Sequence, residues 1–368
     1  MNLSSIIAPV SAGSSFAEPR ALRVPKVYII ILNWNGWRDT IECLESVLQL
    51  DYDSFQVIVC DNASGDDSLD RIAEWASGSL AAGCSNPELQ NLTSPPYPKP
   101  IPFRRIGRGE RVSLGTLGES LFLVQTGTNM GFAGGNNVGL RLALSAGDLD
   151  YAWLLNNDTV VEPGALSSLV ETMQQRPDVG ICGSTLLYYH SPRIVQALGG
   201  SVYNRWTARG GHIGMGQNSD DLPNSDAIES RMKYVVGASM LVSRPFFEQI
   251  GLMSEAYFLY FEEIDWATRA RGKYSLAYAP QSIVYHKEGA SIGSSADRTK
   301  RSTSSDYYAA RSRMLFTKQY FPPACLCVVV LLFGGSLFRY LTGNKSGARA
   351  LLSALHDSMR HNLIIRLP

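Results

Sequence analysis

Several function classes are excluded by what this sequence lacks. Its 33 basic and 33 acidic residues leave no formal net charge, whereas a general nucleic-acid binder carries a basic face for phosphate. Neither Gly-x-Gly-x-x-Gly nor a Gly-Lys-Ser/Thr phosphate loop occurs, which makes a dinucleotide oxidoreductase a poor reading. The six cysteines (Cys43, Cys60, Cys84, Cys182, Cys325 and Cys327) offer no zinc spacing backed by a second pair. Reduced, buried thiols and exposure to a cytosolic environment are expected instead. The stretch 1–25 is rich in Ser, Ala and Pro but has no basic leader or long apolar core. A disordered lead-in is expected there rather than a secretory signal.

What remains is an alternation of apolar runs and amphipathic stretches, long enough at 368 residues for one large domain with appendages. Lys26 to Leu32 and Phe55 to Cys60 read as buried strands. Between them, Ile41, Leu44, Val47 and Leu48 fall on one helical face, and Ser68 to Ala76 reads as a second helix. Two such units in succession predict a parallel sheet with right-handed crossovers. Residues 77–120, with six prolines followed by an arginine cluster, break the rhythm and are expected to form a surface insertion. Strands are expected again at Leu121 to Gln125, Tyr151 to Leu155 and Val179 to Cys182, with helices over Phe132 to Ser145 and from Pro163 to Gln175. Ser184 to Lys233 reads as glycine-rich and irregular, and Tyr234 to Val242 as a return to the sheet.

Polar clusters follow the strand ends, where open α/β sheets place ligands. Asn156-Asn157-Asp158 closes the run Tyr151 to Leu155; its oxygens suit a hard divalent cation, although the triplet is also good turn chemistry. Asp61 closes the second strand and could accept a hydrogen bond from a base, or form an Asx-turn with Asn62, Ala63 and Ser64. The glycines of Asn129 to Asn137 would let backbone N–H groups meet an anion at a helix N-terminus, or serve a tight turn. Glu262, Glu263 and Asp265 lie amid aromatics, where burial is costly without partners or function. A carboxylate near an acceptor hydroxyl can act as general base. His286 ends another apolar run and is placed like a strand-edge ligand.

Taken in order, these segments resemble the inverting GT-A glycosyltransferases of family 2, and most closely the bacterial rhamnosyltransferase-type branch. The segments that carry the resemblance are Ile31 to Gly36, Val59 to Ser64, Asn129 to Gly139, Leu154 to Asp158, Gly237 to Leu241, Tyr260 to Asp265 and Tyr307 to Arg311. The resemblance implies an α/β GT-A domain over 26–320, a Rossmann-like nucleotide-binding sheet followed by an acceptor-side subdomain. Asn33, Asn35, Asp61, Asn62, Asn129, Gly131, Gly134, Asn136, Asn156 and Asn157 would then bind the sugar nucleotide. Asp158 and His286 would hold Mg²⁺ or Mn²⁺, Glu263 would be the catalytic base with Glu262 beside it, and Gly237, Ala238 and Arg311 would face the acceptor. Two departures stand out: Asn156 replaces the first Asp of the family's D-x-D motif, and Glu262-Glu263 replaces the usual Glu-Asp. The Gln-x-x-Arg-Trp motif of processive members is absent, which favours transfer of one sugar per encounter.

The implied partners are a nucleoside-diphosphate sugar and a saccharide or polyprenyl-linked acceptor, with L-rhamnose suggested by the branch. A nucleotidyltransferase would want a basic phosphate loop near the first strand, and Asn33 to Gly36 holds no Lys or Arg. A non-catalytic sugar-nucleotide binder is opposed by the intact acidic pair. The segment 321–368 contains the apolar run Ala324 to Phe338, 15 residues against the ~20 of a spanning helix. Arg339, Lys345, Arg349, Arg360 and Arg366 follow, with Asp357 the one acid among them. Peripheral docking on the cytoplasmic membrane face is expected, ahead of a helix buried in the fold.

Overall fold

The computed structural model describes residues 23–110, 112, 114, 119–288 and 302–360. Most of the expected lead-in, together with Arg111 and Arg366, lies outside these. In chain order the first elements are β1 (Val27–Asn33), α1 (Trp37–Val47), β2 (Phe55–Asp61), α2 (Ser68–Ser77), β3 (Phe103–Ile106), β4 (Leu121–Gln125), α3 (Gly131–Ser145) and β5 (Tyr151–Asn156). Next come β6 (Thr159–Val161), α4 (Ala165–Gln175), β7 (Val179–Tyr188), β8 (Ser191–Leu198), β9 (Gly200–Asn204), β10 (Arg209–His212) and α5 (Ser225–Glu229). The chain continues through β11 (Tyr234–Val235), β12 (Ser239–Ser243), α6 (Arg244–Ile250), α7 (Glu262–Ala270) and β13 (Ser275–His286). It closes with three helices, α8 (Thr303–Tyr320), α9 (Cys325–Leu341) and α10 (Lys345–Arg360).

A ten-stranded mixed sheet runs β3-β4-β2-β1-β5-β12-β7-β13-β6, with β8 paired to β7. Its first five strands are parallel, as the successive strand–helix units predict, and β12 enters antiparallel between β5 and β7. A separate three-stranded sheet has the order β10-β9-β11. Side-chain alternation along β1 builds a core on both faces. Val27, Ile29 and Ile31 meet residues of α1, α2 and α4, while Tyr28 and Ile30 meet α3, α6 and α7. Both faces are covered, so β1 reads as a continuous apolar run instead of an alternating one.

Three expectations need correction. Residues 184–233 are not irregular: they complete β7 and form β8, β9 and β10. Gly199 and Gly200 disguise this ordered stretch, and both are held there by packing. A Cβ on Gly199, which has φ +66°, would lie 2.8 Å from the Tyr278 ring, and one on Gly200 would lie 2.4 Å from the Tyr234 carbonyl oxygen. Residues 77–120 supply the edge strand β3, and bury Leu89, Leu92, Ile101 and Ile106, so this stretch is built into the fold. Finally, Cys43, Cys60 and Cys182 are buried as expected, but Cys84 and Cys327 are exposed.

The apolar C-terminal run is also longer than its sequence suggests. A helical segment spans Pro322–Leu341, 20 residues that are long and apolar enough to cross a membrane. One stripe of α9, Val328, Leu332 and Ser336, is buried with Met314 of α8 and Leu351 of α10 nearby. The other side, including Leu326, Val330, Phe333, Leu337 and Leu341, is exposed. Arg339 is not a free tail charge, since its guanidinium donates to Asp306 at 2.8 Å.

Candidate functional site

The parallel register sets the site. Asn33 pairs with Asp61 across β1 and β2, and Leu32 with Asn156 across β1 and β5, so three polar strand ends arrive at one edge of the sheet. A cavity of about 640 Å³ opens there. Asn62, Asn129, Gly131, Asn156, Asn157, Asp158 and His286 line it, a majority of the residues the sequence proposed for donor and metal.

Asp158 and His286 form its ionic centre. Asp158 Oδ1 lies 3.1 Å from His286 Nε2, and Asn156 Nδ2 lies 3.4 Å from the same nitrogen. His286 Nδ1 is 2.8 Å from Gln196 Oε1, an acceptor that holds the proton on Nδ1 and turns Nε2 toward Asp158. Burial opposes protonation of this ring, but the Asp158 carboxylate outweighs it and raises the His286 pKa. The two strands are tied at this point, because the Lys287 N–H donates to the Asp158 carbonyl at 2.9 Å. Among the described residues no three His, Cys, Asp or Glu side chains converge on one point. An acid–imidazole pair of this kind could supply two ligands to a divalent cation.

Asn33 and Asp61 are buried and Asn35 is exposed, and none of the three lines the cavity. The Asp61 carboxylate accepts from Asn33 Nδ2 (2.8 Å), Ser64 Oγ (2.5 Å), the Ser64 N–H (3.0 Å) and Gln125 Nε2 (3.0 Å). Four donors fill the lone pairs of an ionised carboxylate, and the Asx-turn reading accounts for one of them. Asn35, at φ 51°, accepts the Gly65 N–H at 2.7 Å and ties the two loops together. These residues frame Asn62, which does reach the cavity. Its Oδ1 accepts the Met130 N–H at 3.0 Å and its Nδ2 donates to Asn129 Oδ1 at 3.0 Å.

The glycine-rich turn behaves differently from the anion site expected at the start of α3. The N–H groups of Met130, Gly131 and Phe132 are taken by Asn62 Oδ1, Asn129 Oδ1 and the Phe258 carbonyl. Gly131 permits that closure: it has φ +70°, and a Cβ there would lie 2.0 Å from the Phe258 oxygen. Gly134 packs on Met130, and Asn136 donates to the Phe132 carbonyl at 3.0 Å, so neither lines the cavity.

Opposite the sheet edge, Phe258 and Leu259 and the start of α8 complete the cavity. The Phe258 and Tyr308 rings stack at 4.4 Å, and Ser302, Ser304 and Ser305 add hydroxyls. Trp34 is a further wall residue. Sequence reasoning missed these serines and Trp34 as contacts, although Trp34 and Tyr308 lie inside segments that carried the resemblance. Arg311 is not brought to the cavity, because its guanidinium donates to the Ala256 carbonyl at 3.1 Å and braces the loop that follows.

Glu262 and Glu263 begin α7 after Tyr260 and Phe261, both in left-handed backbone conformations (φ 68° and 76°) that cost energy for bulky residues. Glu262 is buried and Glu263 half-buried, and neither lines the cavity. Burial raises the Glu263 pKa, and burial followed by the neighbouring Glu263 raises that of Glu262 well above its ordinary value. Glu262 Oε1 is buried without a hydrogen-bond partner. Gly237 packs closely against the Glu263 carboxylate, and the adjoining Ala238 carbonyl accepts the Asn156 N–H at 3.0 Å. Gly237 and Ala238 thus connect the acidic pair to the end of β5. Asp265 is structural: it pairs with Arg269 at 2.8 Å and accepts from Tyr320 at 2.7 Å, docking α7 on α8.

The family model described as Glycosyl transferase family 2 matches residues 28–86 and 114–235. The chain belongs to that family. The match contains Asn33, Asp61 and the Asn156–Asp158 triplet, and its gap falls within 77–120. Among curated relatives, the low-salt glycan biosynthesis hexosyltransferase Agl10 of Haloferax volcanii is 29% identical over 153 residues, 42% of this chain and 47% of the relative. An N-acetylglucosaminyl-diphospho-decaprenol L-rhamnosyltransferase of Mycobacterium tuberculosis is 26% identical over 194 residues, 46% of this chain and 60% of the relative. The chain thus spans roughly half the length of the curated relatives it matches. A solved structure of GalNAc-T7 with UDP, GalNAc and Mn²⁺ superposes with a TM-score of 0.53 at 12% identity, covering 82% of this chain and 49% of the other. At that identity the likeness is one of fold, and the fold is GT-A.

Proposed function

We propose that the protein is an inverting glycosyltransferase that moves one sugar from a nucleoside-diphosphate donor to a hydroxyl of a saccharide or lipid-linked saccharide acceptor. The observation that carries this reading is the Asp158–His286 pair on the wall of a cavity of donor size, at the carboxyl edge of the sheet, with the buried Glu262 and half-buried Glu263 linked to the end of β5 through Gly237 and Ala238. The domain that does this corresponds to 26–320.

Asp158 and His286, with Asn156 beside them, would hold Mg²⁺ or Mn²⁺. The acid–imidazole pair and the Gln196 brace behind it fit such an ion. The ion bound there would neutralise charge on the departing diphosphate. Asn62, Asn129 and Asn157 present amides to the donor, and Trp34, Phe258 and Tyr308 give it flat apolar surface. Glu263 accepts the proton of the acceptor hydroxyl as its oxygen bonds to the anomeric carbon, while the bond from that carbon to the diphosphate breaks on the opposite face. A pKa raised by burial makes Glu263 the stronger base. Asn33 and Asp61 position the loop that carries Asn62, and Arg311 positions the loop that carries Phe258.

Rhamnose as the sugar is supported by the name of the mycobacterial relative, which acts on a diphospho-decaprenol-linked saccharide; the archaeal relative is a hexosyltransferase. The exposed face of α9 supports peripheral contact with a membrane, on the cytoplasmic side where nucleotide sugars would be met. One observation favours a non-catalytic sugar-nucleotide binder: Glu262 and Glu263 do not line the cavity. Donor hydrolysis and transfer assays on the wild type and on Glu263→Gln separate the two. Turnover that is lost in the variant while donor affinity holds supports the transferase, and a wild type that binds donor without ever cleaving it supports the binder.

A further inference from the structure

A second cavity, of about 560 Å³, lies away from the sheet edge, between the three-stranded sheet, α7 and the end of α8. Arg205, Lys233 and Arg271 stand around it, all exposed, and no carboxylate is among its lining residues. None of the three cations has an ion pair among the described residues. Arg176 and Arg269 show the contrast, paired with Glu229 and Asp265. In a chain with no net charge, three unpaired cations around one cavity are a local concentration of positive potential.

Aromatic side chains complete the wall. Trp206 stands 46% exposed at the turn between β9 and β10, with the Arg205 guanidinium 5.5 Å from its ring centre. The turn is held in shape by Asn204 Oδ1, which accepts the N–H groups of Trp206 and Thr207 at 2.9 and 3.1 Å. The cavity also adjoins the apolar helix. Phe321 lines it and directly precedes the Pro322–Leu341 segment, and Ala208, at the far side of the Trp206 turn, is buried against Val328 and Leu332 of α9.

We infer that this cavity binds the phosphate of an anionic membrane lipid, with Arg205, Lys233 and Arg271 as its donors and Trp206 as an anchor at the level of the headgroups. The inference rests on the membrane contact proposed for α9 and gives it a chemically specific partner. Arginine and lysine donate to phosphate oxygens with charge assistance, and an indole beside them has both the apolar body and the N–H that the interface favours. An acyl chain would lie against the exposed stripe of α9 while its phosphate reaches the cavity.

Flotation of the full chain with vesicles of phosphatidylcholine, and with an equimolar mixture of phosphatidylcholine and phosphatidylglycerol, tests this. The wild type is expected to prefer the anionic vesicles, and the triple variant Arg205→Gln/Lys233→Gln/Arg271→Gln to lose that preference, by about tenfold or more in partitioning. Circular dichroism and donor binding check that the variant is folded. Retention of the preference by the variant would overturn the site. Equal binding of the wild type to both vesicles would overturn it too, while leaving the α9 contact standing. Flotation with neither vesicle would defeat both. A thermal shift of the wild type with inorganic phosphate, lost in the variant and without any vesicle preference, would reassign the cavity to a soluble phosphate and overturn the lipid.

Discussion

Gly237 and Glu263 compete for one space: a Cβ built on Gly237 would lie 2.3 Å from Glu263 Oε1. Having no side chain, the glycine leaves room for that carboxylate. Gly237→Ala should therefore push Glu263 aside and lower kcat by about a hundredfold, the cost of a displacement near 1 Å at a reacting group. Donor affinity should be unchanged, because Gly237 does not line the cavity. Steady-state kinetics beside calorimetry with the donor checks both halves.

Glu262 gives a prediction about stability. Its folded pKa is raised from an ordinary value of 4.5, so the folded state prefers the neutral acid. The sign follows by linkage: this group's contribution is fully present below pH 4.5 and is lost as pH rises through the folded pKa. Glu262→Gln removes that loss. The variant should melt above the wild type at neutral pH, and the gap should close as pH falls toward 4. Melting curves across that range measure it, and a variant less stable than the wild type at pH 7 would contradict the burial account.

At the proposed metal pair, Asp158→Ala should abolish the manganese-dependent part of donor binding. Gln196→Leu should weaken it by about ten- to a hundredfold, because the side chain fixes the ring proposed as a metal ligand. Titration calorimetry with and without Mn²⁺ separates the two effects from donor affinity alone. Full metal dependence in Asp158→Ala would remove Asp158 from the ligand set.

On α9, Val330→Lys/Leu337→Lys places two charges on the exposed stripe and leaves Val328, Leu332 and Ser336 in the packed one. The variant should lose sedimentation with membranes while keeping its melting temperature and its transfer to a soluble acceptor. Unchanged sedimentation would count against docking through this face.

How far these residues could be read from sequence depended on the range of the interactions involved. The apolar runs of β1, β2 and β5 and the helical face of α1 are local patterns, and the parallel half of the sheet follows from them. Asp158, His286 and Asn62 were placed at strand ends by the sequence, and strand ends in an open sheet converge on one edge, where all three line the cavity. Asn136 and Gly134, expected at the donor, do not line the cavity, and a glycine-rich helix start looks alike whether it meets an anion or a neighbouring chain. The N–H groups of this turn are taken by Asn62, Asn129 and the Phe258 carbonyl, the last more than a hundred residues away. Arg311, expected on the acceptor side, likewise does not line the cavity, its partner being the Ala256 carbonyl. The strands of 184–233 were hidden by glycines that exist to let Tyr234 and Tyr278 approach. Gln196, which braces His286, lies in that stretch and had no local signal at all.

The most direct test of the central claim is thermal stabilisation of the wild type and Asp158→Ala by a panel of nucleoside diphosphates and sugar nucleotides, with and without Mn²⁺. The account predicts that one nucleotide stabilises the wild type, that Mn²⁺ enlarges its shift, and that Asp158→Ala loses the enlargement. A shift equal in both proteins, or no shift with any sugar nucleotide, would contradict a metal-assisted donor site at Asp158 and His286.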